Sequence, residues 1–120
     1  MSNKSVSYNL AKAFLGKKVA VTIDRPLGSI HPKHGFVYEV NYGYIAGVNA
    51  PDGEDLDAYY IGVDVPLQNA QGRCVAIVHR EDDDDDKLVV VPDGIDITDD
   101  EIMSAISFQE KWFQSRIVRE

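Results

Sequence analysis

The hydrophobic positions of this chain repeat mainly at the two-residue spacing of strands, with helical spacing near each end. Near the N-terminus, apolar residues at helical spacing predict a short helix from about Tyr8 to Leu15. Runs rich in β-branched and aromatic residues predict strands. There are five of them: Lys18–Asp24, Phe36–Ile45, Leu56–Val65, Arg73–His79 and Leu88–Val91.

Turn-forming residues separate the predicted strands. Pro26 ends the first one because proline cannot continue a ladder of hydrogen bonds. Pro51 and Gly53 predict a loop over 46–55, and residues 69–72 are typical of a turn into the fourth strand.

The C-terminal part carries the clearest helix signal. Thr98 and Glu101 have the spacing of a capping box, and the carboxylates at 99–101 complement a helix N-terminus. Ile102, Ile106 and later residues then follow one helical face, which predicts a helix through about Gln114.

The predicted elements define the fold class. Five short strands and one terminal helix indicate a mostly β domain with α, a small antiparallel five-stranded β-barrel with the helix packed on it. At 120 residues, the chain has the length of one domain covering residues 1–120.

Charge and cysteine content narrow the classes of function. The formal charge of −8 disfavours nucleic acid as a partner, because the surface field repels phosphates. Cys74 has no disulfide partner within the chain, and no segment has the pattern of a signal peptide or a membrane span. We therefore expect a cytoplasmic protein without a membrane partner.

The most unusual local feature is an acidic segment that places four carboxylates within residues 52–57. Ionised carboxylates a few Å apart repel one another unless a cation lies between them. Oxygen ligands of this kind suit hard divalent ions, Mg²⁺ above all when the partner is a phosphate.

Two motifs resemble the signature of the soluble family I inorganic pyrophosphatases. The first is Asn41-Tyr42-Gly43-Tyr44-Ile45 followed by Asp52-Gly53-Glu54-Asp55-Leu56-Asp57. The second is Asp85-Asp86-Lys87 followed by apolar residues and Pro92. They occur in the order that the family has, and the resemblance implies a five-stranded barrel of the OB type.

The resemblance also implies a function, the hydrolysis of pyrophosphate to two phosphates by a metal-activated water. Its cofactor would be Mg²⁺, with Mn²⁺ as a substitute. The implied metal ligands are Asp52, Glu54, Asp57 and Asp85, with either Glu81 or Asp82 as a further one, and Asp82 is taken here. Asp57 would also position the attacking water, Lys87 would bind a substrate phosphate, and Tyr42 would donate a hydrogen bond to an oxygen at the site.

The chain departs from the family pattern at Glu54 and Asp55, where the family has Asp and Pro, and at Arg80, where it has Asp.

The chain has two further departures, which concern phosphate binding. It lacks most of the segment that precedes the Asn41 motif in the family, which carries phosphate-binding residues; on chemical grounds, Arg25 and Lys33, with His31 and His34, are candidates to replace them. The C-terminal helix has Trp112-Phe113 where the family has Tyr-Lys. Lys111 and Arg116 are the nearest cations to that position.

Alternatives remain open at this point. The enzyme could act on another phosphoanhydride, such as a nucleotide or polyphosphate, or the chain could be a non-catalytic module that binds metal or phosphate. Relatives commonly assemble, so a homo-oligomer is compatible with the resemblance. The simplest interpretation of residues 82–86 is a solvated loop, and that of Tyr42 and Tyr44 is one core residue and one outward-facing residue.

Overall fold

Five strands close into a barrel in the computed structural model of the chain, which describes residues 6–49, 55–81 and 86–119. A sixth strand extends the sheet, and helices precede and follow the barrel strands. In chain order the elements are α1 (Val6–Lys12), β1 (Lys18–Arg25), β2 (Asn41–Asn49), β3 (Asp55–Tyr60), β4 (Asn69–Arg80), β5 (Lys87–Val91), α2 (Asp99–Glu110) and β6 (Ser115–Val118).

The long strand β4 closes the barrel. Its first part, Asn69 to Arg73, pairs with β1, while Arg73 to Val78 pairs with β5 on its other edge. β6 pairs with the far end of β4, beyond β1. The predicted five-stranded barrel with a C-terminal helix is confirmed. The prediction that it is antiparallel throughout is wrong, because β5 inserts between β4 and β3 and runs parallel to β3.

The sheet has an apolar cluster on each face. One cluster packs Val21, Leu56 and Leu88 together with α1. The other packs Tyr59, Val89 and their neighbours against α2. Both faces are thus covered, as the continuous burial of β5 requires.

The helix α2 begins as predicted and ends earlier. Thr98 and Glu101 form the reciprocal capping box, which confirms the predicted N-terminus. The helix stops at Glu110 rather than Gln114, because the chain must turn back to pair Ser115–Val118 with β4. Neither described helix has the length and apolar content that a bilayer crossing needs.

Several predicted strand boundaries are wrong, and tertiary pairing explains the differences. Residues 36–40 form a loop and are not the start of β2. In this loop, the Tyr38 N–H donates to Ser29 O at 2.8 Å. Residues 46–49 belong to β2 rather than to a loop. Residues 69–72 are strand rather than turn because they pair with β1, and β3 ends at Tyr60 rather than Val65.

Asn41 fixes the point at which β2 begins. Its buried side-chain oxygen accepts hydrogen bonds from the backbone N–H groups of Leu27 at 2.9 Å and Leu67 at 3.0 Å. Its amide nitrogen donates to Val65 O at 2.9 Å. One side chain therefore binds two loops to the start of the strand that carries Tyr42.

Candidate active site

A cavity of about 500 Å³ opens on the face of the sheet that carries α2. It lies between the loop before β2, the last residue of β4, the first residue of β5 and the C-terminal end of α2. Its polar wall consists of Tyr42, Arg80, Lys87 and Gln109. Its aromatic wall consists of His31, His34, Phe36, Trp112 and Phe113.

Strand register places the predicted site residues on one face. Tyr42 lies opposite Tyr59 of β3, and Tyr44 lies opposite Asp57. Residues two apart in a strand point the same way, so all four side chains share the face of the cavity. The interpretation that Tyr42 and Tyr44 face opposite sides is therefore wrong, and both are half-buried.

The floor of the cavity is a buried group of charges. The Arg80 guanidinium donates to Glu110 from Nε to Oε1 at 3.0 Å and from Nη2 to Oε2 at 3.1 Å. Lys87 Nζ lies 4.0 Å from Glu110 Oε2. All three residues are buried: Arg80 is 5% exposed, Glu110 is 2% exposed and Lys87 is 1% exposed. Arg80 and Lys87 thus share the Glu110 carboxylate, and the buried Asp86 carboxylate lies beside them, where it accepts a hydrogen bond from the Arg80 backbone N–H at 3.2 Å.

Further hydrogen bonds hold the Glu110 carboxylate in place. Tyr59 donates its hydroxyl to Oε2 at 2.6 Å, and Ser115 donates to Oε1 at 2.8 Å. Gln109 Nε2 in turn donates to the Tyr59 oxygen at 2.7 Å. A buried carboxylate at the C-terminal end of a helix is unfavourable without such partners.

This network shifts two pKa values in opposite directions. Burial alone would raise the pKa of Glu110, but the hydrogen bonds from Arg80 and the charge of Lys87 outweigh burial and lower it. Burial, followed by the neighbouring Glu110 carboxylate, raises the pKa of Tyr59 well above its ordinary value. At neutral pH, Glu110 is therefore ionised and Tyr59 remains a hydrogen-bond donor.

Tyr38 contacts two residues of the cavity lining, Tyr42 and Gln109, and Arg25 affects its pKa. Its ring stacks on Tyr42 with centroids 5.5 Å apart, and its hydroxyl contacts Gln109 Oε1 at 3.4 Å. Burial raises the pKa of Tyr38, and the charge and hydrogen bond of Arg25 oppose that rise. The charge of Asp57 also acts on the Tyr38 hydroxyl. Arg25 itself does not line the cavity.

Four of the predicted metal ligands, Asp52, Glu54, Asp82 and Asp85, lie outside the described residues. Their described neighbours are informative: β3 begins at Asp55 and β5 at Lys87, and the two strands are parallel neighbours. Parallel strands begin at the same edge of a sheet, so the chain enters both strands on one side of the barrel. Of the expected ligands only Asp57 is described, and the described ranges contain no cluster of three or more metal-ligating side chains.

The cations considered as replacement phosphate ligands lie away from the cavity. Lys33 is exposed and does not line it, and Arg116 pairs with the exposed Glu81 at 2.9 Å. Lys111 is exposed, with Nζ 4.8 Å from the centre of the Trp112 ring. Among the described residues, the cations that line the cavity are Arg80 and Lys87.

His31 organises the loop that forms one side of the cavity. Its Nδ1 accepts hydrogen bonds from the backbone N–H groups of Lys33 and His34, each at 3.1 Å. Its ring contacts the Phe36 ring, with centroids 4.8 Å apart. Desolvation, followed by the charge of His34, lowers the pKa of His31, which fits a neutral ring that accepts at Nδ1.

Sequence reasoning missed the Arg80–Glu110 pair, although each residue carried a weak signal. Arg80 ends a strand and aligns with a position where the family has a carboxylate. Glu110 follows Ile106 by four positions, so it falls on the buried face of α2. Trp112 and Phe113 both line the cavity, and the centre of the Phe113 ring lies 3.6 Å from the Arg80 guanidinium carbon.

This chain is similar to known proteins in both its sequence pattern and its fold. The family model described as inorganic pyrophosphatase matches residues 6–117. Among solved structures, the inorganic pyrophosphatase from Ehrlichia chaffeensis is similar at 18% identity and a TM-score of 0.67, covering 98% of this chain and 92% of that one. That from Thermus thermophilus is similar at 20% identity and a TM-score of 0.59, covering 86% and 82%. No curated protein sequence matches this chain significantly.

Proposed function

Because this chain belongs to the inorganic pyrophosphatase family, we propose that it hydrolyses inorganic pyrophosphate to two phosphates, in a Mg²⁺-dependent reaction at the cavity between β2, β5 and α2. The observation that carries the proposal is the placement of Lys87 and Arg80 on the floor of that cavity, next to Tyr42. The Lys87 ammonium and the Arg80 guanidinium are groups that suit a phosphate-bearing anion.

The described residues suggest a role for each side of the cavity. Lys87 supplies a compact positive charge to one phosphoryl group, and Arg80 offers planar donors that suit phosphate oxygens. Tyr42 donates a hydrogen bond from its hydroxyl. Glu110 acts on the substrate through Arg80 and Lys87, so it is a positioning residue. We propose Arg25 and Lys33, neither of which lines the cavity, as peripheral contacts to the substrate phosphate.

The donor set fits a hard divalent cation. Asp57 is a half-buried carboxylate on the face of the cavity, two positions before Tyr59. We propose that Asp57 holds Mg²⁺ together with Asp52, Glu54, Asp82 and Asp85, and that Mn²⁺ can replace it. Bound Mg²⁺ would supply a water of lowered pKa and would withdraw charge from the phosphate. Asp57 would orient that water toward the phosphorus.

The cysteine content and the net charge bear on the cellular compartment and the partners that we propose. Cys74 is a buried thiol, which fits a reducing cytoplasm. The charge of −8 makes nucleic acid an unfavourable partner. The partner we propose is therefore a small phosphate compound, and sedimentation of the purified chain tests whether it forms a homo-oligomer.

Phosphate release from pyrophosphate by the purified protein tests the proposal. We expect release that depends on Mg²⁺, that stops with EDTA and that Asp57→Ala abolishes. Asp64→Ala is the matched control, because Asp64 is an exposed carboxylate in the loop after β3. An absence of release above a metal-only blank, with Mg²⁺ and with Mn²⁺, would reject the proposal in favour of a non-catalytic module.

A further inference from the structure

The cavity is more aromatic than pyrophosphate requires. Pyrophosphate consists of two phosphoryl groups and has no apolar atom, so it uses only the polar wall. The aromatic wall holds Trp112, which is 58% exposed, together with Phe36 and His34. At about 500 Å³, the cavity lies in the size range of sites for small organic ligands.

The aromatic wall is an ordered surface. Phe36 lies 5.6 Å from Trp112 between ring centroids, and the His34 ring is nearly parallel to Phe36, with an interplanar angle of 5°. The His31 ring extends the same group. Exposed rings held in this way offer a stacking surface for a planar heterocycle.

We propose that the site accepts nucleoside 5′-diphosphates, with the phosphates against Lys87 and Arg80 and the base stacked on the wall at Trp112. The lining favours this ligand class, because it combines two cations, Lys87 and Arg80, with the exposed ring of Trp112. This inference rests on the proposed pyrophosphate hydrolysis and names a second substrate class for the same site.

The reaction is the same phosphoanhydride hydrolysis. The oxygen of water forms a bond to the terminal phosphorus, and the bond from that phosphorus to the bridging oxygen breaks. The electron pair of the broken bond stays on the nucleoside monophosphate, and one proton is released as inorganic phosphate forms. No oxidant, reductant or second substrate is needed.

The single tryptophan of the chain makes binding directly observable. We expect α,β-methylene-ADP, whose bridge cannot be hydrolysed, to quench Trp112 fluorescence and to compete with pyrophosphate in the phosphate-release assay. We also expect the protein to release phosphate from ADP. Pyrophosphate without a base should quench Trp112 far less than the ADP analogue does.

Variants test whether the aromatic wall is responsible. Trp112→Ala should lower the ratio of kcat/KM for ADP to kcat/KM for pyrophosphate by roughly 5- to 150-fold, the range expected for loss of one base-stacking contact. Trp112→Phe should keep most of this ratio. Ile95→Ala is the matched control, because Ile95 is an exposed apolar residue that does not line this cavity.

The possible outcomes separate the two proposals. If pyrophosphate is hydrolysed but ADP neither quenches Trp112 nor reacts, the nucleotide inference is overturned and the pyrophosphatase proposal stands. An unchanged substrate ratio in Trp112→Ala overturns the inference as well. If neither compound is hydrolysed, the pyrophosphatase proposal fails, and quenching by α,β-methylene-ADP then decides whether the cavity binds nucleotides.

Discussion

Arg80 and Glu110 form a two-point ion pair beneath the cavity, with both nitrogen-to-oxygen distances close to 3 Å: 3.0 Å for Nε and 3.1 Å for Nη2. Thirty positions separate the two residues, so the pair joins the end of β4 to the end of α2. Lys87 approaches the same carboxylate from β5. One carboxylate therefore sets the position of both cations that face the proposed substrate.

Loss of the Glu110 charge should destabilise the fold. Glu110→Gln removes the carboxylate that pairs with the buried Arg80 guanidinium, and removal of one partner of a buried ion pair costs about 3–5 kcal/mol. We expect a loss of about 3 kcal/mol in the free energy of unfolding, measured by urea denaturation. Glu81→Gln should change it by less than about 1 kcal/mol, because its pair with Arg116 is exposed. Equal effects of the two substitutions would contradict the buried network.

The Glu110 carboxylate should make the free energy of unfolding depend on pH. The pKa of Glu110 is lowered in the folded state from an ordinary value of 4.5, so folding favours its ionised form. Its stabilising contribution is fully present above that ordinary value and is lost as the pH falls through the lower folded pKa. Urea titrations from neutral pH to about pH 3 should show wild type and Glu110→Gln converging in acid. A constant difference between them would show that the charge is not responsible.

The sequence alone predicted the features that depend on residues close together in the chain. Thr98 and Glu101 form the predicted capping box, because that motif needs only residues three apart. The alternating runs located the five barrel strands within a few residues. Lys87 lines the cavity, and its role as a phosphate ligand stays a prediction.

Features that depend on distant partners could not be predicted from local patterns. Residues 69–72 have turn chemistry, yet pairing with β1 makes them strand. Residues 36–40 have strand chemistry, yet the Asn41 side chain binds two loops just after them and β2 begins there. The burial of Glu110 depends on Arg80, a partner in another element.

Replacement of the Lys87 charge should impair catalysis more than folding. Lys87→Met keeps a long side chain at a site that is 1% exposed, and Glu110 retains its pair with Arg80. Loss of one charge-assisted phosphate contact is worth about 1.5–3 kcal/mol, so kcat/KM for pyrophosphate should fall roughly 10- to 150-fold. The exposed residue Lys17 gives the control Lys17→Met. If both variants keep wild-type kcat/KM, Lys87 does not bind the substrate.

Gly43 should tolerate no side chain, because β1 approaches its backbone too closely. A Cβ atom added there would lie 1.8 Å from the backbone oxygen of Thr22, and neither backbone can move without breaking the β1–β2 pairing. We expect Gly43→Ala to lower the free energy of unfolding by about 3 kcal/mol or more, in the range of strained core substitutions. Gly47→Ala is the comparison, because a Cβ there meets nothing within 4 Å and only its φ of +83° is unfavourable. Its expected loss is about 1 kcal/mol.

Because Gly43 lies between Tyr42 and Tyr44, Gly43→Ala should also lower pyrophosphate hydrolysis under conditions in which the variant remains folded. A Gly43→Ala protein as stable as Gly47→Ala would show that β1 and β2 do not pair as described.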